Sequence, residues 1–342
     1  MRRPLIASLG LALCLLPACS GADDPSADPS GAPSSSPAPT STTSTTTTTA
    51  APTAAPTPAT ADPATPGAGP PAVRRVSPDD VRLATAVAAV EHLAGTVGPR
   101  PGTSPAYRRA ARWVGTRLTS LGWSVERQAF PTPAGVSWGV PVRGGRSTNV
   151  VATRGDVRPG RPWLLVGAHL DTVPQAPGAE DNASGVGVLL AVAEALAERR
   201  TRLPVVLVAF GSEEPRGPGD DDHHYGSRAY VAGLTTAERG SLNGMVSLDR
   251  VGVGSVLPVG SAGAGDQVQR QLLAAAGRAG VPTVSDLEQR SSDHWSFVRA
   301  GLPGARLGST SYAAYHSADD VPAVVSRDQL RRTARTVLAW LR

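Results

Sequence analysis

Trp163-Leu164-Leu165-Val166-Gly167-Ala168-His169-Leu170-Asp171-Thr172, followed closely by Gly178-Ala179-Glu180-Asp181-Asn182-Ala183-Ser184-Gly185, is the stretch around which the chain is organised. Its first half opens on a short unbroken apolar run bounded by Pro162, the pattern of a strand buried on both faces of a parallel sheet. Its second half ends at Gly185 and leads into an alanine-rich segment of helical period. A strand end, a polar loop and a helix start thus bring together one histidine, His169, and three carboxylates, Asp171, Glu180 and Asp181. The crevice at the carboxyl ends of strands is where open α/β sheets build their sites.

Working outward, the same alternation of short apolar runs and helical periods continues. Ser77-Pro78-Asp79-Asp80 supplies a cap, a first-position proline and first-turn acids, and predicts a helix over 79–94. Ser104-Pro105 starts a second helix that Gly122 ends. Further helices are expected at 183–199, 266–279 and 327–341, and strands at 123–130, 149–152, 163–166, 205–210, 245–248 and 305–307. Helices alternating with buried strands predict one three-layer α/β/α sandwich over residues 77–342, with a mostly parallel central sheet.

The first 76 residues read differently. Arg2 and Arg3 precede a short apolar core, Leu5 to Leu16, and then Leu16-Pro17-Ala18-Cys19 resembles a bacterial lipobox. Residues 1–19 are therefore expected to be a lipoprotein signal peptide, with Cys19 lipidated in the mature chain. Residues 20–76 are rich in Pro, Ser, Thr and Ala with almost no large apolar side chain, which predicts a disordered tether. The expectation is therefore an exported protein, lipid-anchored on the outer face of the cell membrane, or else secreted. The other cysteine, Cys14, falls inside the signal segment, leaving no thiol for a disulfide or a cysteine metal site. All 33 basic residues are arginine, against 28 acids, and the scattered net charge of +5 gives no support for nucleic-acid binding.

Each strong strand hands off to acids or histidines at its carboxyl end. Strand 163–166 leads to His169, Asp171 and Asp181; strand 205–210 to Glu213 and Glu214; strand 245–248 to Asp249; the last strand to Tyr315 and His316. So many carboxylates on one sheet edge repel one another unless cations hold them. Nitrogen and carboxylate donors without sulfur suit zinc, with manganese or cobalt as substitutes.

This ordered set, His169-x-Asp171, Asp181-Asn182-x-Ser184-Gly185, Glu213-Glu214, Asp249 and His316, resembles the di-zinc aminopeptidases of the M28 peptidase family over roughly residues 80–340. The resemblance implies a mixed, mostly parallel sheet and two zinc ions. His169 and Asp249 would bind one ion, Glu214 and His316 the other, and Asp181 would bridge them. It also implies Glu213 as general base, acting through a metal-bridging hydroxide, and Asp171 as acceptor of the His169 ring N–H. Tyr315 matches a tyrosine that donates to the oxyanion in some relatives. Asp293, His294, Trp295 and Tyr312 are the candidates for lining the substrate pocket. Peptide N-termini are the implied substrates. Carboxypeptidases, deacylases and glutaminyl cyclases share related scaffolds, but the cyclases lack the full ligand set. A non-catalytic, envelope-anchored binding lipoprotein would have lost a ligand or the base, and none is missing. Asp220-Asp221-Asp222-His223-His224 is expected to be a solvated rim loop, Glu180 to support Asp181, and His92 to be structural.

Overall fold

The computed structural model describes residues 73–155, 157–263 and 265–342. Cys19, the expected signal segment and nearly all of the expected tether lie outside the described residues. Among the described residues, ten strands run in chain order: β1 (Ser124–Thr132), β2 (Gly135–Ser137), β3 (Val140–Val142), β4 (Gly145–Arg154), β5 (Trp163–His169), β6 (Val205–Phe210), β7 (Leu242–Leu248), β8 (Leu257–Gly260), β9 (Thr283–Asp286) and β10 (Gly304–Leu307). The helices are α1 (Leu83–Val90), α2 (Pro105–Ser120), α3 (Gly185–Ala195), α4 (Tyr225–Gly233), α5 (Thr236–Ser241), α6 (Gln267–Arg278), α7 (His294–Arg299) and α8 (Arg327–Leu341).

Eight strands form one sheet in the order β1-β4-β6-β5-β7-β10-β8-β9. The central four, β6, β5, β7 and β10, are parallel, while β1, β4 and the β10–β8 pair add antiparallel ladders. The sheet is therefore mixed, with a parallel centre whose carboxyl ends share one edge. β5 and β6 are buried along their whole length, which is why both read as continuous apolar runs.

The two faces of β5 divide by period. Leu164, Val166 and Ala168 join the larger core with α1, α2, α3, α6 and α8. Trp163 and Leu165 join a second core with Phe210, Tyr230 of α4 and Phe297 of α7. Each fully buried Val, Leu or Phe contributes about 1.5–3 kcal/mol, so both layers hold the site-bearing strand ends firmly in register.

Helix starts follow their caps. Ser104 Oγ accepts the Tyr107 amide beneath Pro105, and Asp266 Oδ1 accepts the Val268 amide at the start of α6. The Ser77–Asp80 capping box is present, but it closes a 3₁₀ turn, and the helix expected over 79–94 is divided into that turn, α1 and a wider turn at Glu91–Val97. The β2–β3 hairpin, β8, β9, α4 and α5 escape sequence reading. Their strands are only three or four residues long, too short to show a period, and β2, β3 and β9 are largely exposed or half-buried; α4 lacks a capping side chain. No helix among the described residues is long and apolar enough to cross a membrane.

Candidate active site

Four parallel strand ends deliver the polar groups. His169 is the last residue of β5, Glu213 and Glu214 follow β6, Asp249 follows β7, and His316 lies on the segment after β10. Asp181 sits in the turn between β5 and α3, with its following peptide bond cis. Gly178 enters that turn at φ 69°, and a Cβ there would stand 2.2 Å from Thr172 Cγ2 and 2.4 Å from the Asp181 carbonyl. Only glycine suits both the backbone and the space.

The two oxygens of Asp181 face different histidines. Oδ1 is 3.0 Å from His169 Nε2, and Oδ2 is 3.2 Å from His316 Nε2. His169 Nε2 is also 3.6 Å from Asp249 Oδ1, and His316 Nε2 is 3.7 Å from Glu214 Oε1. Two groups able to hold a metal result, His169–Asp181–Asp249 and Asp181–Glu214–His316, sharing Asp181. A third combination, His169–Glu213–Glu214, is also within ligand reach. Asp181 Oδ1 and Glu214 Oε1 are buried without a hydrogen bond. Such oxygens are costly when left alone and are satisfied by a cation. The donor set, imidazole and carboxylate without sulfur, fits zinc.

Electrostatics sort the acids. In the polypeptide alone, burial and then the Asp249, Asp171 and Asp181 carboxylates push Glu213 up to about 7, against the pull of His169. Burial also works to raise Asp249, but the Arg306 guanidinium, 3.1 Å from Asp249 Oδ2, and His169 outweigh it and hold that carboxyl well below the usual range.

The surrounding support differs in part from the sequence expectations. Asp171 does not give its carboxylate to His169. His169 Nδ1 lies 3.2 Å from the Asp171 carbonyl, whereas Asp171 Oδ1 is 4.0 Å away. The Asp171 carboxylate instead accepts the amides of Glu213 (2.9 Å) and Glu214 (3.2 Å), clamping the neighbouring strand end. Glu180 accepts the amides of Gly252 and Val253 and so braces the loop bearing Asp181.

The expected pocket residues lie elsewhere. A cavity of about 120 Å³ over the cluster is lined by Trp138, Pro215, His223, His224, Arg250, Ser291, Arg306 and Tyr315 together with the metal-candidate residues. Asp293 and His294 are fully buried, because α7 turns its first residues inward as Phe297 docks in the second core. Trp295 stacks under Arg290, and the Tyr312 hydroxyl donates to Asp320 Oδ2. None of these four borders the cavity. Tyr315 does, with its ring stacked on His316 at 3.7 Å and Arg250 over it at 4.4 Å.

Several participants were missed. Arg306, fully buried in β10, holds Asp249; an arginine inside a short apolar strand is the signal that would have pointed to it. Asp320 receives the amides of Glu180 and Asp181. Arg100, fully buried, donates to the carbonyls of Leu93, Gly98, Leu170, Pro177 and Gly178. Trp138, at the β2–β3 turn, packs 4.4 Å from the His316 ring. Seven non-glycine residues among those described adopt positive φ, and four of them, Trp138, His224, Arg250 and His316, line this cavity. Strained backbone concentrated in this way marks functional sites.

Residues 149–341 match peptidase family M28. The chain belongs to this family. It is 31% identical over 187 residues to the aminopeptidase YwaD of Bacillus subtilis, covering 52% of this chain and 40% of that protein. It is 29% identical over 210 residues to the probable lipoprotein aminopeptidase LpqL of Mycobacterium tuberculosis, covering 56% of this chain and 39% of that protein. The chain thus spans less than half the length of both relatives. Its fold matches that of BSAP, a zinc aminopeptidase from Bacillus subtilis, with a TM-score of 0.68 over 76% of this chain and 94% of that one, at 19% identity.

Proposed function

We propose that this M28 member is a di-zinc aminopeptidase that removes N-terminal residues from peptides. The observation that carries the reading is Asp181, whose two oxygens belong to two separate donor groups. His169 and Asp249 would hold one zinc, Glu214 and His316 the other, and Asp181 both. Zinc bound there supplies Lewis acidity and lowers the pKa of its bound water. Glu213, required by neither group, takes the proton of the attacking water and returns it to the leaving amine. Tyr315, which lines the cavity, would donate its hydroxyl to the developing oxyanion.

Exopeptidase action follows from shape. A cavity of about 120 Å³, walled by Trp138 and Tyr315, favours a chain end over the middle of a peptide. Fold alone does not choose among the hydrolases and cyclases built on such scaffolds. The presence of His169 beside Asp249, completing the first donor group, favours two metals and hydrolysis. The lipobox at Cys19, together with similarity to a probable lipoprotein aminopeptidase, supports an exported, lipid-anchored enzyme.

Aminoacyl p-nitroanilides, free and N-blocked, test the reading. Chelator-sensitive cleavage of the free substrates, two zinc per chain, and a loss of ~10²–10⁴ in kcat for Glu213→Gln are expected. Equal cleavage of blocked substrates would overturn the aminopeptidase assignment, and full activity in Glu213→Gln would overturn the base.

A further inference from the structure

Glu213 lies close enough to His169 and Glu214 to be drawn in as a metal ligand. A general base must be kept from doing so, and its backbone is already fixed. The Glu213 amide donates to Asp171 Oδ1, the Glu213 carbonyl accepts the His224 amide at 2.9 Å, and the Ser212 carbonyl accepts the Tyr225 amide at 2.9 Å. Residues 212–213 and 224–225 are therefore laced together across the intervening loop.

His224, expected to belong to a solvated rim, is instead 3% exposed. It adopts φ 57° directly before α4, and that turn brings its Nε2 to 3.0 Å from Glu213 Oε1. Nε2 is buried and takes part in no formed hydrogen bond, which leaves Glu213 Oε1, 3.0 Å away, as the polar contact it faces. The rest of the loop is tied down by its own acids. Asp222 accepts the Gly219 amide, and Asp221 pairs with Arg299 of α7 at 2.9 Å. The acidic run thus anchors the loop that carries His223 and His224, both of which line the cavity.

We propose that His224 is a positioning residue that donates its Nε2–H to Glu213 Oε1, keeping this carboxylate out of the metal coordination sphere and its second oxygen turned to the attacking water. A neutral imidazole suits the role, since it offers one N–H and adds no charge; burial lowers His224 to about 4. The inference rests on Glu213 being the base.

The test compares His224→Leu, which removes the donor, with His224→Gln, whose amide N–H reaches the Nε2 position. On aminoacyl p-nitroanilides, His224→Leu is expected to lose ~10–100-fold in kcat with KM within about twofold, and His224→Gln to recover most of the loss. Cobalt-loaded protein gives a readout independent of turnover. Its visible spectrum should change in His224→Leu as Glu213 joins the metal, and match the parent in His224→Gln. In the double variant with Glu213→Gln, the His224→Leu loss should vanish. Unchanged kcat and spectrum in His224→Leu, equal impairment in both His224 variants, or multiplicative losses in the double variant would each overturn the role. Should Glu213→Gln alone keep full activity, the base reading fails first, and an unchanged cobalt spectrum would then reject His224 separately.

Discussion

Replacing Arg100 by Met leaves the methylene stem in place and removes a guanidinium that is fully buried. That group donates to Leu170 O at 2.7 Å, Pro177 O at 2.6 Å, Gly178 O at 3.0 Å, Leu93 O at 3.1 Å and Gly98 O at 3.3 Å. Burial lowers its pKa to about 10, with Asp171, Asp320, Asp181 and Glu214 opposing the shift, so it stays charged at neutral pH. Leu93 O and Gly178 O keep the amides of Gly98 and Ala183, so the loss falls on Leu170 O, Pro177 O and Gly98 O; a buried acceptor left without a donor costs about 1–3 kcal/mol, and such costs in one cluster do not add fully. A total of about 4 kcal/mol is expected, a large share of a typical 5–15 kcal/mol stability. For a domain of this size each kcal/mol moves Tm by about 2–4 °C, giving a fall of about 8–16 °C. The carbonyls concerned bracket residues 170–178, which carry Asp171 and lead to Asp181, so kcat/KM should fall as well. Thermal unfolding followed by circular dichroism, with zinc and with chelator, measures the effect. Arg100→Lys should recover little, because one ammonium cannot reach acceptors spread around a planar fork. A Tm drop under about 3 °C for Arg100→Met would refute the claim that this arginine holds the loop.

Four further outcomes are expected. Burial lowers His294 from 6.5 to about 3, so the folded protein keeps it neutral while the unfolded chain takes up a proton below about 6.5. Stability is thus fully present above that pH and lost as pH falls, by ~1.4 kcal/mol per unit for this group, and urea unfolding of His294→Gln should lack that component; equal slopes would contradict it. Asp320→Ala frees the amides of Glu180 and Asp181 and should weaken metal retention ~10–100-fold in chelator competition. Tyr315→Phe should lower kcat ~10²–10³-fold with little change in KM if its hydroxyl serves the oxyanion, and equal kcat would remove it from that role. Labelling with radioactive palmitate should be lost in Cys19→Ala, and retained label would reject the lipobox.

Much of the site was readable because its donors sit at strand ends. His169, Glu213, Glu214 and Asp249 each close an apolar run, and a single parallel register brings them to one edge. Their supports were not readable in the same way. Asp171 was expected to act on the nearby His169, yet its carboxylate serves amides 42 and 43 residues away. Asp293 and His294 were expected in the pocket because their segment resembles the one that lines the substrate side chain in the family, yet both are fully buried on the side of α7 where Phe297 enters the second core.

The sequence by itself determined the layers and the edge on which the chemistry stands. Burial on both faces demands apolar runs, and helix starts demand caps, and both are local requirements. Only the tertiary structure decided what each polar group faces. A carboxylate is written identically whether it meets an amide, as Asp171 does, an arginine, as Asp249 does, or two histidines, as Asp181 does. The partner is set by strand register and loop closure across tens of residues, and no local pattern encodes that distance. His224, expected on the rim, is brought against Glu213 by a left-handed turn before α4.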